Sequence, residues 1–510
     1  MPSNPGKSRQ TLFVSIFFLS GIAGLAYQII WAKSFAAAIG HEYPAMLAVV
    51  TAFMGGLALG GVLLGRLRRI PTSAYAWLEI VIGLWAIATV FLISPLQNLV
   101  FDVLGTTPSP AFQWTVVFLA VFLALFPATA AMGATLPAVE RFLAAHIERH
   151  TTGLLYGANT AGATLGAILG AFWLMPAFGL RNSVFILAAL NIACGLAALL
   201  LARKSPPAPS KPRSKAPLPL AARLFLAGLL GIGFEVALVR ALSHVLENTV
   251  YTFAVVLSVY LAGTALGALA FHRAQKHPAF TKAARLFAIL GIACALSAIL
   301  IRFAPTAYPR FRHSIGDSIP AVAFSESVIA CTVFFAPAFC MGANWAWLAQ
   351  SSLNFKPNLA WAVALNTTGA ALAPLFIGLL LIPVLGLKIT LAFIAIGYVL
   401  LAGRDKFTAI ALLLAAAATP FIASTRHLID TTGGRIISLQ EGVMGSVAVV
   451  ENPFLGRPPQ SHGDARGAGV SVFRNRHDEF VVGNSDALAH RFEDSLVGLM
   501  RHDPCDVLGL

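Results

Sequence analysis

The sequence predicts an all-α polytopic membrane protein: two parallel six-helix repeats, then a strand-rich C-terminal segment. Three observations carry this expectation. Hydrophobic residues fill 58% of the 510 positions and charged residues only 11%, whereas a water-soluble domain carries about a quarter charged residues. Apolar runs of spanning length, about 20 residues, recur along most of the chain. Residues 21–66 also recur without a gap at 228–273, a constant offset of 207. The offset pairs Gly21 with Gly228, Gly24 with Gly231, Tyr27 with Phe234 and Gln28 with Glu235. It also pairs Lys33 with Arg240, Gly56 with Gly263, Gly60 with Gly267 and Arg66 with Arg273. A duplication within membrane-spanning sequence describes how the bundle is built and where its polar residues fall.

The elements follow in order. Lys7 and Arg9 precede an apolar run at 12–31 with no small-residue cleavage site after a shorter core. That run reads as a retained first span and not as a removable signal. With it, six spans are expected near 11–36, 44–66, 74–95, 112–132, 153–178 and 183–202. A second set follows near 221–243, 250–272, 283–303, 321–341, 358–383 and 386–403. The resulting divisions are a first membrane half at 1–202, a basic Pro-rich linker at 203–220 and a second half at 221–403. A candidate thirteenth span occupies 404–424, and the strand-rich segment 425–510. The linker's prolines and charges can bury little and block regular helix.

The net charge of +14 does not mark a nucleic-acid partner. The basic residues form short clusters between apolar runs, as the positive-inside rule requires, and not a phosphate-binding face. Arg66, Arg68 and Arg69, then Arg141 and Arg149, the linker, and His272, Arg273, Lys276 and Lys282 all fall on one side. The segment holding Arg302, Arg310 and Arg312 is the exception. The expectation is a multi-pass protein of the cell membrane with a cytoplasmic N-terminus and the lipid bilayer as its main partner. The sequence sets no oligomeric state. Cys194, Cys294, Cys331, Cys340 and Cys505 have no paired or metal-like spacing, so no metal site is expected.

The duplication extends beyond the first match. Met132-Gly133-Ala134 recurs as Met341-Gly342-Ala343, Asn159 as Asn366, and Pro176, Gly179 and Arg181 as Pro383, Gly386 and Lys388. Six spans is an even number, so both halves enter from the same side and are related by an axis along the membrane normal. Gly56 with Gly60, Gly263 with Gly267, and Gly162 with Gly166 are small residues four apart on one helix face, the pattern of close helix packing in lipid.

The polar residues of the spans form a candidate intramembrane site: Glu235, Gln28, Asn159, Asn366, Arg240 and Lys33. An ionised Glu235 inside a span costs several kcal/mol unless it is paired, and its repeat mate Gln28 keeps the shape without the charge. Lys33 and Arg240, nearer the span ends, are long enough to snorkel to the headgroups. Asn159 and Asn366 need partners on neighbouring helices. Two readings stand: an interhelical hydrogen-bond network, or a site for a cationic or amine substrate with Glu235 as its counter-charge. Glu79 and Glu326 lie near span ends and are expected at the interface.

After the last span, 435–452 alternates β-branched and apolar residues around Gly442 and Gly445, the mark of a hairpin. Residues 470–473 and 479–482 read as a second strand pair, 487–501 as a helix and 507–510 as the start of another strand. Fewer than about 90 residues with a sheet only beginning make a poor independent core.

Several motifs carry a family resemblance. Leu19-Ser20-Gly21 through Trp31, Ala52-Phe53-Met54-Gly55-Gly56-Leu57-Ala58-Leu59-Gly60, Met132-Gly133-Ala134-Thr135-Leu136-Pro137 and Leu155-Tyr156-Gly157-Ala158-Asn159-Thr160 resemble membrane proteins fused to a spermidine-synthase-like domain. Gln440-Glu441-Gly442 with Ser446-Val447-Ala448-Val449-Val450-Glu451 resembles the first strands of aminopropyltransferases. Val507-Leu508-Gly509-Leu510 is similar to the strand entering their nucleoside-binding loop. The resemblance implies decarboxylated S-adenosylmethionine as cofactor and a polyamine or other small amine as partner. The chain stops where the family's catalytic acids begin. No catalytic residue is therefore assigned, no cofactor is expected for this chain, and Asp486, His490, Glu493 and Asp494 read as surface residues. Against this stand two alternatives: a transporter or exporter of amines or other small molecules, and a non-catalytic membrane scaffold.

Overall fold

The computed structural model describes residues 5–39, 42–66, 71, 73–105, 108–146, 151–202, 217–247, 250–274, 283–316, 318–354, 359–403, 405–429, 435–443, 445–451, 470–474 and 479–484. Most of the 203–220 linker, the 487–501 helix and the 507–510 strand lie outside them, as do Asp486, His490, Glu493 and Asp494.

A backbone in lipid must satisfy its polar groups within each segment, which leaves the helix as the solution for an apolar run. The first half comprises α1 (Pro5–Ile39), α2 (Glu42–Arg66), α3 (Ala74–Leu104), α4 (Pro110–His146), α5 (Thr151–Leu169) and α6 (Met175–Ala202). The second comprises α7 (Leu218–Leu242), α8 (Val250–Ala274), α9 (Ala283–Leu300), α10 (Ala304–Ile315), α11 (Ile319–Asn354), α12 (Leu359–Ala373) and α13 (Ile382–Ala402). Together α9 and α10 occupy the place that α3 alone fills in the first half. The chain is an all-α polytopic membrane protein.

Among the described residues, ten helices are long and apolar enough to cross a bilayer, and two of them, Gly157–Leu201 and Trp361–Ala402, run 45 and 42 residues. That is about twice the roughly 20 residues one crossing needs. Each reverses at a glycine: Gly179 has φ 71° and ψ 174°, and Gly386 has φ 78° and ψ 162°. Other residues rarely reach that conformation. The contacts show the reversal. Gly162 and Gly166 of α5 meet Phe18 and Ile22 of α1 in ascending order, so α5 runs with α1. In α6 the order is opposite: Asn191 joins Ser20 of α1 through Glu79, and Cys194 Sγ donates to the Ile16 carbonyl. Two reversals turn ten long helices into twelve crossings.

The repeat is visible in the packing. α2 packs on α4 as α8 packs on α11, α1 on α5 as α7 on α12, and α3 on α6 as α9 on α13. Between the halves, α2 packs on α12 and α5 on α8, and the repeat exchanges these two contacts. A π-helical turn falls at the same place in both halves, Gly170–Leu174 after α5 and Pro374–Leu381 after α12. Pro374 cannot donate to the helical ladder, and both turns lie on the helices that meet the opposite half. Such turns mark places where a helix bends.

Small residues set these seams. A Cβ on Gly56 would fall on Thr129 Oγ1, and one on Gly60 on the Ala130 carbonyl. In the second half a Cβ on Gly263 would crowd that of Ala338, and one on Gly267 the Phe339 carbonyl. On the α1–α5 seam, Gly162 and Gly166 face the carbonyls of Phe18 and Ile22. Contacts this close replace the hydrophobic driving force that lipid cannot supply.

Beyond α13, α14 (Lys406–Ala418) starts near Arg223 at the beginning of α7, against which Gly403 lies. It ends where Lys388 Nζ donates to the Pro420 carbonyl at 3.0 Å. The run at 404–424 thus traverses the depth of α13, and α15 (Thr425–Leu428) follows. Four strands complete the described chain: β1 (Arg435–Glu441), β2 (Ser446–Glu451), β3 (Val470–Arg474) and β4 (Glu479–Asn484). They form one antiparallel sheet in the order β1-β2-β4-β3. The β1–β2 turn closes through Gly442 N–H to the Gly445 carbonyl at 2.8 Å. It sits at the end of α7, on the face of the bundle opposite that where α1 and α7 begin.

Candidate functional site

The repeat places Gln28 and Glu235 at equivalent points of α1 and α7. Gln28 is buried, and its Oε1 has no hydrogen-bond partner. Beside it Tyr27 stacks on Trp31 with ring centroids 5.0 Å apart. Trp31 Nε1 in turn donates to Thr89 Oγ1 of α3 at 3.0 Å. Glu235 is half-buried, and its carboxylate makes no hydrogen bond or ion pair with the described residues. Its neighbours are structural: Phe234 meets Phe334 edge-on, and the Val236 carbonyl accepts from Tyr43 Oη at 3.5 Å. Gly231, one turn earlier on the same helix face, looks onto two hydroxyls. A Cβ there would lie 3.3 Å from Tyr398 Oη and 3.9 Å from Tyr260 Oη. Glu235 thus follows, one helical turn on, a position bordered by two tyrosine hydroxyls.

Asn159 is an interhelical staple. Its Nδ2 donates to the Phe17 carbonyl of α1 at 3.1 Å, and its own carbonyl lies where a Cβ on Gly21 would fall. Asn366 repeats the backbone half of this contact, its carbonyl meeting Gly228 of α7. Lys33 is half-buried on α1, at the position equivalent to Arg240.

Arg240 does not snorkel. It is 1% exposed, covered by the β1–β2 turn from a segment 202 residues downstream. One terminal nitrogen donates to the Gly442 carbonyl at 2.8 Å and lies 3.5 Å from Ser446 Oγ. The guanidinium also sits 5.1 Å from the ring centre of Tyr43 on α2. The turn is held at two further points. Glu441 accepts from the Leu387 N–H at 3.1 Å and from Thr425 Oγ1 at 2.6 Å, so its carboxylate caps the helix restarted after Gly386. His244, just past the α7 span, lies 3.4 Å from Ser446 Oγ. Burial first, and the Arg240 charge second, push His244 down to about 3, so its ring is neutral at physiological pH. The turn thus bears on α7 and α13 of the second half and, through Tyr43, on α2 of the first.

Glu79 and Glu326 differ from the interfacial expectation, since both are buried. Glu326 accepts from Thr252 Oγ1 at 2.7 Å and from the Glu247 N–H at 3.3 Å, and Glu247 pairs with Arg312. These long-range contacts leave no trace in local periodicity.

No family model and no curated protein matches the chain. Solved structures similar to it are membrane transporters. A bacterial homologue of the human lysosomal transporter Spinster is 16% identical, covering 84% of this chain and 95% of that one, with a TM-score of 0.44. A bacterial homologue of the iron transporter ferroportin is 12% identical, covering 81% and 98%, with a TM-score of 0.48. The nucleoside transporter NupG is 13% identical, covering 81% and 97%, with a TM-score of 0.45. The resemblance to membrane-fused spermidine synthases is therefore corrected. The matching structures are transporters, and the hairpin that carried the resemblance in the tail is anchored on the helical bundle by Arg240 and Leu387.

Proposed function

We propose that the chain is a membrane transporter for a small cationic or amine substrate, moved by rocking of its two six-crossing halves. The observation that carries this reading is the reciprocal seam between halves, α2 on α12 and α5 on α8. A fixed scaffold has no need of two interchangeable contacts, whereas alternating access about a central axis does. The duplicated π turns on those helices supply places to bend. Glu235 is the substrate's counter-charge, and Tyr260 and Tyr398 border Gly231 one turn away. Gln28, its neutral mate, supplies a hydrogen-bonding group from the other half.

The expected result in proteoliposomes is saturable uptake of at least one member of a labelled amine panel (choline, ethanolamine, putrescine). Glu235→Gln lowers that uptake by roughly tenfold or more, the loss of one charge-assisted contact of about 1.5–3 kcal/mol. Uptake that survives the substitution unchanged sinks Glu235 as the binding group.

The basic residues near the start of α1, the end of α2 and the start of α7 support a cytoplasmic location for that face. The sheet then lies outside. Alkaline phosphatase fused after Leu510 is expected to be active, and a fusion that is inactive but folded reverses the orientation.

A further inference from the structure

A second polar centre lies wholly within the first half. Glu79 of α3 is 0% exposed. Its Oε1 accepts from Ser20 Oγ of α1 at 2.6 Å and its Oε2 from Asn191 Nδ2 of α6 at 2.5 Å. Both donors are neutral, and no Lys or Arg among the described residues bonds to the carboxylate. The titratable groups around it are Tyr75 of α3, Tyr27 of α1 and Cys194 of α6, none of them a cation. A buried carboxylate without a counter-charge costs several kcal/mol. Something positive must balance it.

The surroundings point to where that charge sits. Asn191 is 2% exposed, yet its Oδ1 has no hydrogen-bond partner. Tyr27 Oη is likewise buried without a hydrogen-bond partner, and Tyr75 Oη lies against the carboxylate, to which its hydroxyl can donate. An amide oxygen left unsatisfied beside a carboxylate is an acceptor open to a positive group. The repeat supplies an internal control. At the positions equivalent to Ser20, Glu79 and Asn191, the second half has Ala227, Phe287 and Tyr398, Phe287 being fixed by the matching contacts of Gly83 and Gly291. That half packs α9 on α13 and α7 on α13 without any acid, closing the seam with Tyr398 Oη donating to the Ala227 carbonyl at 3.3 Å. Packing of this seam does not require a carboxylate.

We propose that Glu79 anchors a binding site for a small monovalent cation, a proton or a sodium ion, sealed between α1, α3 and α6 of the first half. Ser20, Asn191 and Tyr75 complete it. The cation keeps the three helices together, and its departure leaves a bare charge that water must reach, so occupancy governs how tightly they close. The site depends neither on Glu235 nor on the transport reading.

The test compares wild type with Glu79→Gln, purified and returned to liposomes at pH 7. Infrared difference spectra in choline buffer read a protonated carboxyl, and equilibrium binding of ²²Na⁺ reads sodium. A carboxyl band present in wild type and missing from Glu79→Gln supports the proton. Sodium binding lost in the variant supports the metal. Superimposable spectra together with equal sodium binding overturn the proposal. Should Glu79→Gln fail to fold, Ser20→Ala keeps the carboxylate and removes one of its bonds. The carboxyl band must then shift or sodium affinity must fall, and no change in either overturns the site.

Discussion

Gly60→Ala is expected to disrupt the first half, although it adds a single methyl group. The new Cβ would fall on the backbone carbonyl of Ala130, which has no rotamer with which to retreat. The α2–α4 seam must open along its length, because Gly133 of α4 faces Leu57 of α2 just as closely. Overpacking of a well-fitted core typically costs about 1–3 kcal/mol, and a backbone obstacle puts this variant at or above the upper end. Gly267→Ala should do the same to the α8–α11 seam, where the obstacle is the Phe339 carbonyl. Gly24→Ala is the control, with nothing within 4 Å of its Cβ position, and a gain in helix propensity is its main effect. Thermal stability read by size-exclusion chromatography in detergent separates the cases. A Gly60→Ala protein as stable as Gly24→Ala would contradict the close packing.

Arg240→Ala should release the β1–β2 turn and leave the bundle folded. The substitution removes the charge-assisted bond to the Gly442 carbonyl and the contact with Tyr43. A hydrogen bond to a charged group is worth about 1.5–3 kcal/mol, equivalent to roughly 10- to 100-fold in the opening equilibrium of the hairpin. Hydrogen exchange followed by mass spectrometry should find β1 and β2 exchanging faster by that factor, while α3 and α6 stay protected. Equal protection of the hairpin in both proteins would mean that Glu441 alone holds it. Faster exchange throughout would mean that Arg240 supports the bundle instead.

Legibility followed the range of the interactions. Spans were readable because lipid imposes one solution on an apolar run, and the halves because an offset of 207 survives in the residues themselves. The separate spans expected at 153–178 and 183–202, and at 358–383 and 386–403, part at Gly179 and Gly386, two reversals that helix length alone would have hidden. The strand pairs at 435–452 and 470–482 were also readable, from alternation around glycines. The fate of Arg240 was not. From one helix it looks like a residue that snorkels, and only the fold brings Gly442 to it. Glu79 misled for the same reason: its place early in α3 suggested an interface, but α1 and α6 close over it. The resemblance in the tail rested on short strands, whose alternation many unrelated sheets share.

The central claim is that the two halves move against one another about their shared axis. Distances between spin labels test it most directly, in a cysteine-free background reconstituted in lipid. One label pair, Ala111→Cys with Ser314→Cys, joins the halves near the face that bears the sheet. The other, Leu63→Cys with Leu269→Cys, joins them near the opposite face. Rocking predicts two distance populations at each pair, shifting in opposite directions when a transported amine is added: one face closes as the other opens. A single distance at both pairs, unmoved by an amine that the protein demonstrably transports, would contradict the account.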